Sequence, residues 1–233
     1  MNIGIYIYDE AEVLDFSGPF EVFSTASRVC PDGSPFTVFL IAETGTVVTA
    51  RAGYRVVPAC GIDDHPPIDV LIVAGGVHDA EIHKASVIAW IAKQAKTAKI
   101  VASVCTGAFL LAEAGLLKSR NATTHFSDIE TLQARYPDLV VHASVRWIDE
   151  GSVVTSAGIS AGLDMSLHLV GRLHSAALAR KTARQMEYDY NNLRKRIFDC
   201  RKKLKKIAEA LLGDARWPAS LSAEVEDPAT EQL

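Results

Sequence analysis

The chain has 233 residues, 48% hydrophobic and 22% charged, with a formal net charge of -4. That balance suits a globular α/β protein, one large domain or two small ones, and the charge gives no reason to expect a nucleic acid partner. Residues 1–8 are too short for a secretory apolar region and have no basic flank, no apolar run reaches the length of a membrane span, and the four cysteines follow neither a disulfide nor a zinc spacing. A soluble cytoplasmic chain without cofactor or metal is the expectation.

In chain order, residues 3–8 alternate Ile, Gly, Ile, Tyr, Ile, Tyr and read as the first strand. An acidic turn and the apolar loop Val13-Leu14-Asp15-Phe16-Ser17-Gly18-Pro19 follow, then an amphipathic helix over 20–28. Residues 37–42 read as the second strand, and 46–50 with 54–58 as a hairpin around Arg51-Ala52-Gly53. Residues 68–73 form a buried strand ending in Ala74-Gly75-Gly76, before a helix over 80–96.

The chain is organised around residues 97–117. Residues 100–104 are β-branched or small, as in a strand buried on both faces. From Ala108 the residues favour helix, and Gly115 sits where a C-terminal cap belongs. Cys105 lies where the period changes, the layout of a nucleophile elbow. The helix start there is expected to favour thiolate over thiol. Cys30, Cys60 and Cys200 fall in a loop, a strand end and a charged helix and take structural readings.

Beyond the elbow, Asn121-Ala122-Thr123-Thr124-His125-Phe126 reads as a short strand or turn. A helix over 127–136 is expected to start with a capping box of Ser127 and Glu130. Strands follow at 139–141, 145–149 and 152–155. The small residues of 156–162 open a helix over 163–173 and allow it to pack closely against the elbow, and another helix starts near Ser175. Strands alternating with helices imply a mostly parallel central sheet flanked by helices. Residues 194–212 are basic and helical in pattern, either a solvated helix with one packed stripe or an arm that binds a partner. The tail over 213–233 is expected to be disordered.

Three features carry the chemistry. Cys105 is the candidate nucleophile. Asp15 is either a cap or turn residue, or a general acid and base whose pKa is raised by burial. Gly75 and Gly76 permit close backbone approach and are read as donors to an oxyanion.

Together, Leu14-Asp15-Phe16-Ser17-Gly18-Pro19, Ala74-Gly75-Gly76, Ser103-Val104-Cys105-Thr106-Gly107-Ala108, Ala122-Thr123-Thr124-His125 and the stretch from Thr155 to Gly162 resemble the ThiJ/PfpI superfamily. The resemblance spans roughly residues 1–190. It implies a class I glutamine amidotransferase-like, flavodoxin-like α/β fold, with a catalytic domain over 1–190; the basic helical extension over 191–212 is read from its charge pattern and lies beyond the resemblance. Within the superfamily the chain is most similar to the isocyanide hydratases, which pair an aspartate in the first loop with threonine after the cysteine. It departs from relatives that place histidine there, because Thr106 stands at that position.

The resemblance implies a small-molecule isocyanide substrate, a homodimer and no cofactor. Cys105 would be the nucleophile and Asp15 the proton carrier. Thr106 would steer Asp15 or the thiol, and His125 would lie near the site in a structural or contacting role. AraC-type regulators carry a similar amino-terminal domain, but their DNA-binding portion is expected to be far longer than the 43 residues after Tyr190. A stand-alone sensor of that type, or a cysteine-based redox protein, are the other readings.

Overall fold

A computed structural model describes residues 1–189, and Met1–Met186 form one compact unit. The basic segment 191–212, the tail 213–233 and Cys200 lie outside the described residues.

Strands β1 (Asn2–Tyr6), β2 (Thr37–Ala42), β5 (Cys60–Gly61), β6 (Val70–Val73), β7 (Ile100–Val104), β10 (Trp147–Asp149) and β11 (Val153–Ser156) make one sheet in the order β10-β11-β7-β6-β1-β2-β5. Every pairing is parallel except β10 with β11. All residues of β6 and β7 are buried, which explains their Val, Leu, Ile and Ala content, interrupted only by the buried Ser103 of β7. Burying each such Val, Leu or Ile contributes roughly 1.5–3 kcal/mol, and these strands carry the centre of the core. The hairpin of β3 (Val48–Ala50) and β4 (Tyr54–Val56) forms around Arg51, Ala52 and Gly53 as expected, as a separate two-stranded sheet.

Helices α1 (Val13–Val29), α5 (Ala161–Leu173) and α6 (Ala176–Gln185) pack on one another, while α2 (Ala85–Gln94) packs against α3 (Gly107–Glu113). Short β8 (Asn121–Ala122) and β9 (Val140–Val141) pair beside α4 (Ile129–Arg135).

Three local expectations are corrected. Helix α1 begins at Val13, not at 20, so Asp15 lies in its first turn and not in a loop. Pro19 suits helical φ and removes only the N–H that would reach the Asp15 carbonyl, while packing of Gly18 against Leu163 of α5 holds the turn in place. The helix expected over 80–96 is a 3-10 turn, Glu81–His83, followed by α2. There the buried Glu81 accepts a hydrogen bond from the Tyr6 hydroxyl and pairs with Lys84, which also reaches Glu43. The capping box at Ser127 does not form. Ser127 sits inside a 3-10 turn, Phe126–Asp128, and its hydroxyl pairs with His125 Nδ1 and Asp128 Oδ2 instead.

Candidate active site

The strand register builds the site. Tyr6 of β1, Val73 of β6 and Ser103 of β7 lie in one row across the sheet. Two residues further along each strand direction, that row continues as Tyr8, Gly75 and Cys105. All three sit beyond the carboxyl ends of parallel strands, where β1 has β2 on one side and β6 on the other, the crevice in which open α/β sheets bind ligands.

Cys105 has φ of +58°, a left-handed conformation that costs a non-glycine residue on the order of 1–3 kcal/mol. Its backbone is locked there on both sides. The N–H donates to the Ser156 and Ala157 carbonyls at 3.2 and 3.3 Å, and its carbonyl accepts from Thr124 Oγ1 at 2.9 Å. The close packing expected for the stretch 156–162 is thus present at the elbow. Cys105 as a whole is 6% exposed.

Asp15 is fully buried. Its Oδ2 accepts from the Gly75 N–H at 3.1 Å, while among the described residues Oδ1 has no partner of hydrogen-bond geometry. Burial pushes its carboxyl up to about 7, against the hydrogen bond to the Cys105 side chain that holds it down; the Glu12 carboxylate adds to the rise, and backbone groups of Gly75 and Ile159 oppose it. The thiol is affected in the opposite sense to the expectation. Burial first, then the Asp15 carboxylate, push the Cys105 thiol well up, and the Thr106 N–H only partly offsets them. The resting pair is therefore a thiol beside a carboxyl group poised near neutrality, not a free thiolate.

The two glycines also differ from the expectation. The N–H of Gly75 goes to Asp15, and that of Gly76 goes to Thr106 Oγ1 at 2.8 Å, so both donors are engaged before any ligand arrives. Gly75 is a spacer: a Cβ there would lie 2.6 Å from Thr106 N and 2.8 Å from both Asp15 Oδ2 and Cys105 Cβ. Gly76 has φ of +145°, and its backbone bridges to Ala11. Replacing Gly75 with alanine is expected to destabilise the protein by about 1–3 kcal/mol through overpacking and to force the acid and the thiol apart. Urea denaturation checks the first effect and the reactivity of Cys105 towards an alkylating reagent checks the second.

Thr106 Oγ1 also donates to the Gly76 carbonyl at 2.8 Å. Its hydroxyl thus clamps the elbow to the end of β6, and its backbone N–H, not its side chain, faces the sulfur. His125 turns away: Nδ1 meets Ser127 Oγ at 2.7 Å and Asp128 at 3.5 Å, and the ring lies against Gly158. An open cleft of about 870 Å³ runs beside the elbow, with Thr124, His125, Phe126, Gly158 and Ile159 among its walls. Cys105 is not one of its lining residues, while Thr124, which donates to the Cys105 carbonyl, is.

Tyr8 escaped the sequence reading. It is 3% exposed, and among the described residues its hydroxyl has no partner of hydrogen-bond geometry. Burial, with Glu81, Asp15 and Cys105, pushes the phenol well up, and Thr106 offsets part of that. The available signal was the second Tyr at a strand end, a residue with an apolar body and a polar tip. Because an unsatisfied buried hydroxyl is costly, Tyr8→Phe is expected to raise stability by about 1 kcal/mol. Chemical denaturation measures this, and a loss of stability would mean the hydroxyl is bonded in solution.

Comparison with known proteins follows the same outline. The DJ-1/PfpI family profile matches residues 1–172. An isonitrile hydratase of Pseudomonas putida is 30% identical over 190 residues, 81% of this chain and 78% of that protein. A helix-turn-helix transcriptional regulator of Pseudomonas aeruginosa is 27% identical over 188 residues, and this chain spans 51% of its length. Among solved structures, a ThiJ/PfpI family protein from Pseudomonas syringae aligns with a TM-score of 0.72 at 28% identity, covering 91% of this chain and 90% of that one.

Proposed function

We propose that this chain, which belongs to the DJ-1/PfpI family, hydrates an isocyanide to an N-substituted formamide. The observation that carries the reading is the pairing of a cysteine on a strained elbow with one buried carboxyl group whose pKa sits near 7. Such a group changes protonation state within a catalytic cycle at neutral pH. The similarity to an isonitrile hydratase, isonitrile and isocyanide being one functional group, supports the choice of substrate class.

The cycle begins with ionised Asp15 and the neutral Cys105 thiol. As sulfur attacks the terminal carbon of R-NC, the thiol proton passes to Asp15, and Asp15 delivers it to that carbon. The product is a thioimidate, Cys105-S-CH=N-R. Water then adds to the same carbon, with Asp15 taking one of its protons and passing it to nitrogen. In the last step the new hydroxyl loses its proton as the carbon–sulfur bond breaks, Asp15 returns a proton to sulfur, and R-NH-CHO leaves. Every proton moved is supplied by the thiol or by water, so the cycle needs no redox partner.

In this reading Thr106 and Gly75 are positioning residues: one fixes the elbow and the other sets the separation between acid and sulfur. The Thr106 N–H and the buried Tyr8 hydroxyl are the donors nearest to developing charge. The R group extends towards the cleft beside Ile159. A homodimer in the cytoplasm belongs to the same proposal and is supported by the family resemblance alone. Among the described residues, no helix is long and apolar enough to cross a membrane.

Incubating the purified chain with a panel of alkyl and aryl isocyanides and detecting formamide by mass spectrometry tests the reading. Turnover of none would sink it. The regulator similarity, which covers 81% of this chain, favours a second reading, a ligand-sensing domain. Saturable binding of an isocyanide without product would support that one.

A further inference from the structure

We propose that Cys30, Asp32 and His174 bind a single zinc-class divalent cation at the paired carboxyl ends of α1 and α5. One ligand atom from each side chain lies within 4.8 Å of the other two. Cys30 and His174 are 144 positions apart, so no local spacing in the sequence could pair them, and a purely structural role was the natural expectation for Cys30. The fold brings them together because α1 packs along α5, and each residue is the C-terminal cap of its helix.

The distances suit a metal. Cys30 Sγ and His174 Nε2 are 3.6 Å apart. A tetrahedral centre with bonds of about 2.3 Å to sulfur and about 2.05 Å to nitrogen holds those two atoms about 3.55 Å apart. An Asp32 carboxylate oxygen already lies within 4.8 Å of both atoms, within reach of the third position. Asp32 is exposed and lies in a turn between Pro31 and Gly33.

Two further features favour a cation. The carboxyl ends of both helices meet here, and each carries the negative end of its macrodipole. His174 Nδ1 is engaged with Ser175 Oγ at 3.1 Å, and Ser175 is itself fixed as the N-cap of α6 by accepting from Leu178 N. With Nδ1 committed to that contact, Nε2 is the nitrogen presented to Cys30, the outer partner that fixes the ring of a ligating histidine. The donor set of thiolate, imidazole and carboxylate selects zinc, cobalt or copper over calcium or magnesium, which take oxygen ligands. Charge balances as well, since a thiolate and a carboxylate neutralise a divalent ion. The thiol proton leaves to solvent when the metal–sulfur bond forms. Three protein ligands leave one tetrahedral position for water.

Cobalt(II) titration of the untagged full chain under reducing conditions tests the proposal, because cobalt bound to thiolate gives a charge-transfer absorption that zinc displaces. One equivalent is expected to bind in wild type and in Cys105→Ala. The absorption should vanish in Cys30→Ser, a substitution that keeps side-chain size and a polar partner for His174. His174→Ala is expected to weaken binding by more than about tenfold. Zinc should raise the thermal midpoint of wild type and leave that of Cys30→Ser unmoved. Absorption that persists in Cys30→Ser, or no cobalt uptake by wild type, would overturn the site and leave Cys30 and His174 as a hydrogen-bonded pair. Neither result bears on isocyanide turnover, which rests on Cys105 and Asp15.

Discussion

Cys105→Ala is expected to eliminate formamide production, with a fall on the order of 10⁴-fold or more, as when a covalent nucleophile is removed. The fold should survive. The backbone bonds that hold the elbow run from the residue 105 N–H to Ser156 and Ala157 and from Thr124 to its carbonyl, and none uses the sulfur. Alanine keeps the +58° strain that cysteine already bears, so the stability change reflects only a small buried cavity, about 1 kcal/mol. Cys105→Ser separates chemistry from packing. It is slightly smaller but keeps a polar hydrogen beside Asp15, yet a hydroxyl is a much poorer nucleophile in the same geometry, so its activity should fall nearly as far. Circular dichroism and thermal melting verify folding, and mass spectrometry counts product. Turnover retained by either variant would remove the sulfur from the mechanism, and the reading of Asp15 as its proton partner would go with it.

The elbow was legible because both of its halves obey strong rules. A strand buried on both faces is built mainly of apolar and small residues, and residues 100–104, in which only Ser103 is polar, match Ile100–Val104 in full. The strand Thr37–Ala42 also matches its expected bounds, although Thr37 is exposed and Val38 and Leu40 are only half-buried. Position along the chain also marked Asp15, but not its setting. Gly18 and Pro19 read locally as a break, whereas packing against Leu163 of α5, a contact between distant segments, makes helix of them. The glycines were recognised and their use was not, because sequence shows that an N–H is accessible but not which acceptor reaches it first. Here Asp15 and Thr106 do. The thiolate expectation failed for a related reason: a helix start contributes a fixed favourable term, but burial and a neighbouring carboxylate are tertiary facts that outweigh it.

Asp15 is where catalysis and stability are expected to diverge. Burial raises its pKa from 3.8 to about 7, so the folded state binds this proton more tightly than the unfolded chain. The neutral carboxyl is tolerated. Its stability contribution is complete below pH 3.8 and is lost as pH climbs through about 7, a change on the order of 4 kcal/mol across that window. Asp15→Asn keeps an oxygen to accept from Gly75 but never ionises, so it avoids the cost. Its thermal midpoint should exceed that of wild type at pH 8, and the gap should close towards pH 4. The chemistry runs the other way. A carboxamide cannot take the thiol proton, so Asp15→Asn should lose at least about 10²–10⁴-fold in kcat, the usual worth of a positioned acid–base group. Asp15→Glu keeps the function but carries it one methylene too far in a fully buried space, and should recover part of the activity with a loss of stability. In wild type, kcat/KM should rise with pH through about 7, as the carboxylate needed to accept the first proton forms. An Asn variant as active as wild type would exclude Asp15 from proton transfer. An Asn variant both inactive and less stable at pH 8 would show that Asp15 acts through packing, since only an ionisable group held against its preference yields inactivity and added stability together.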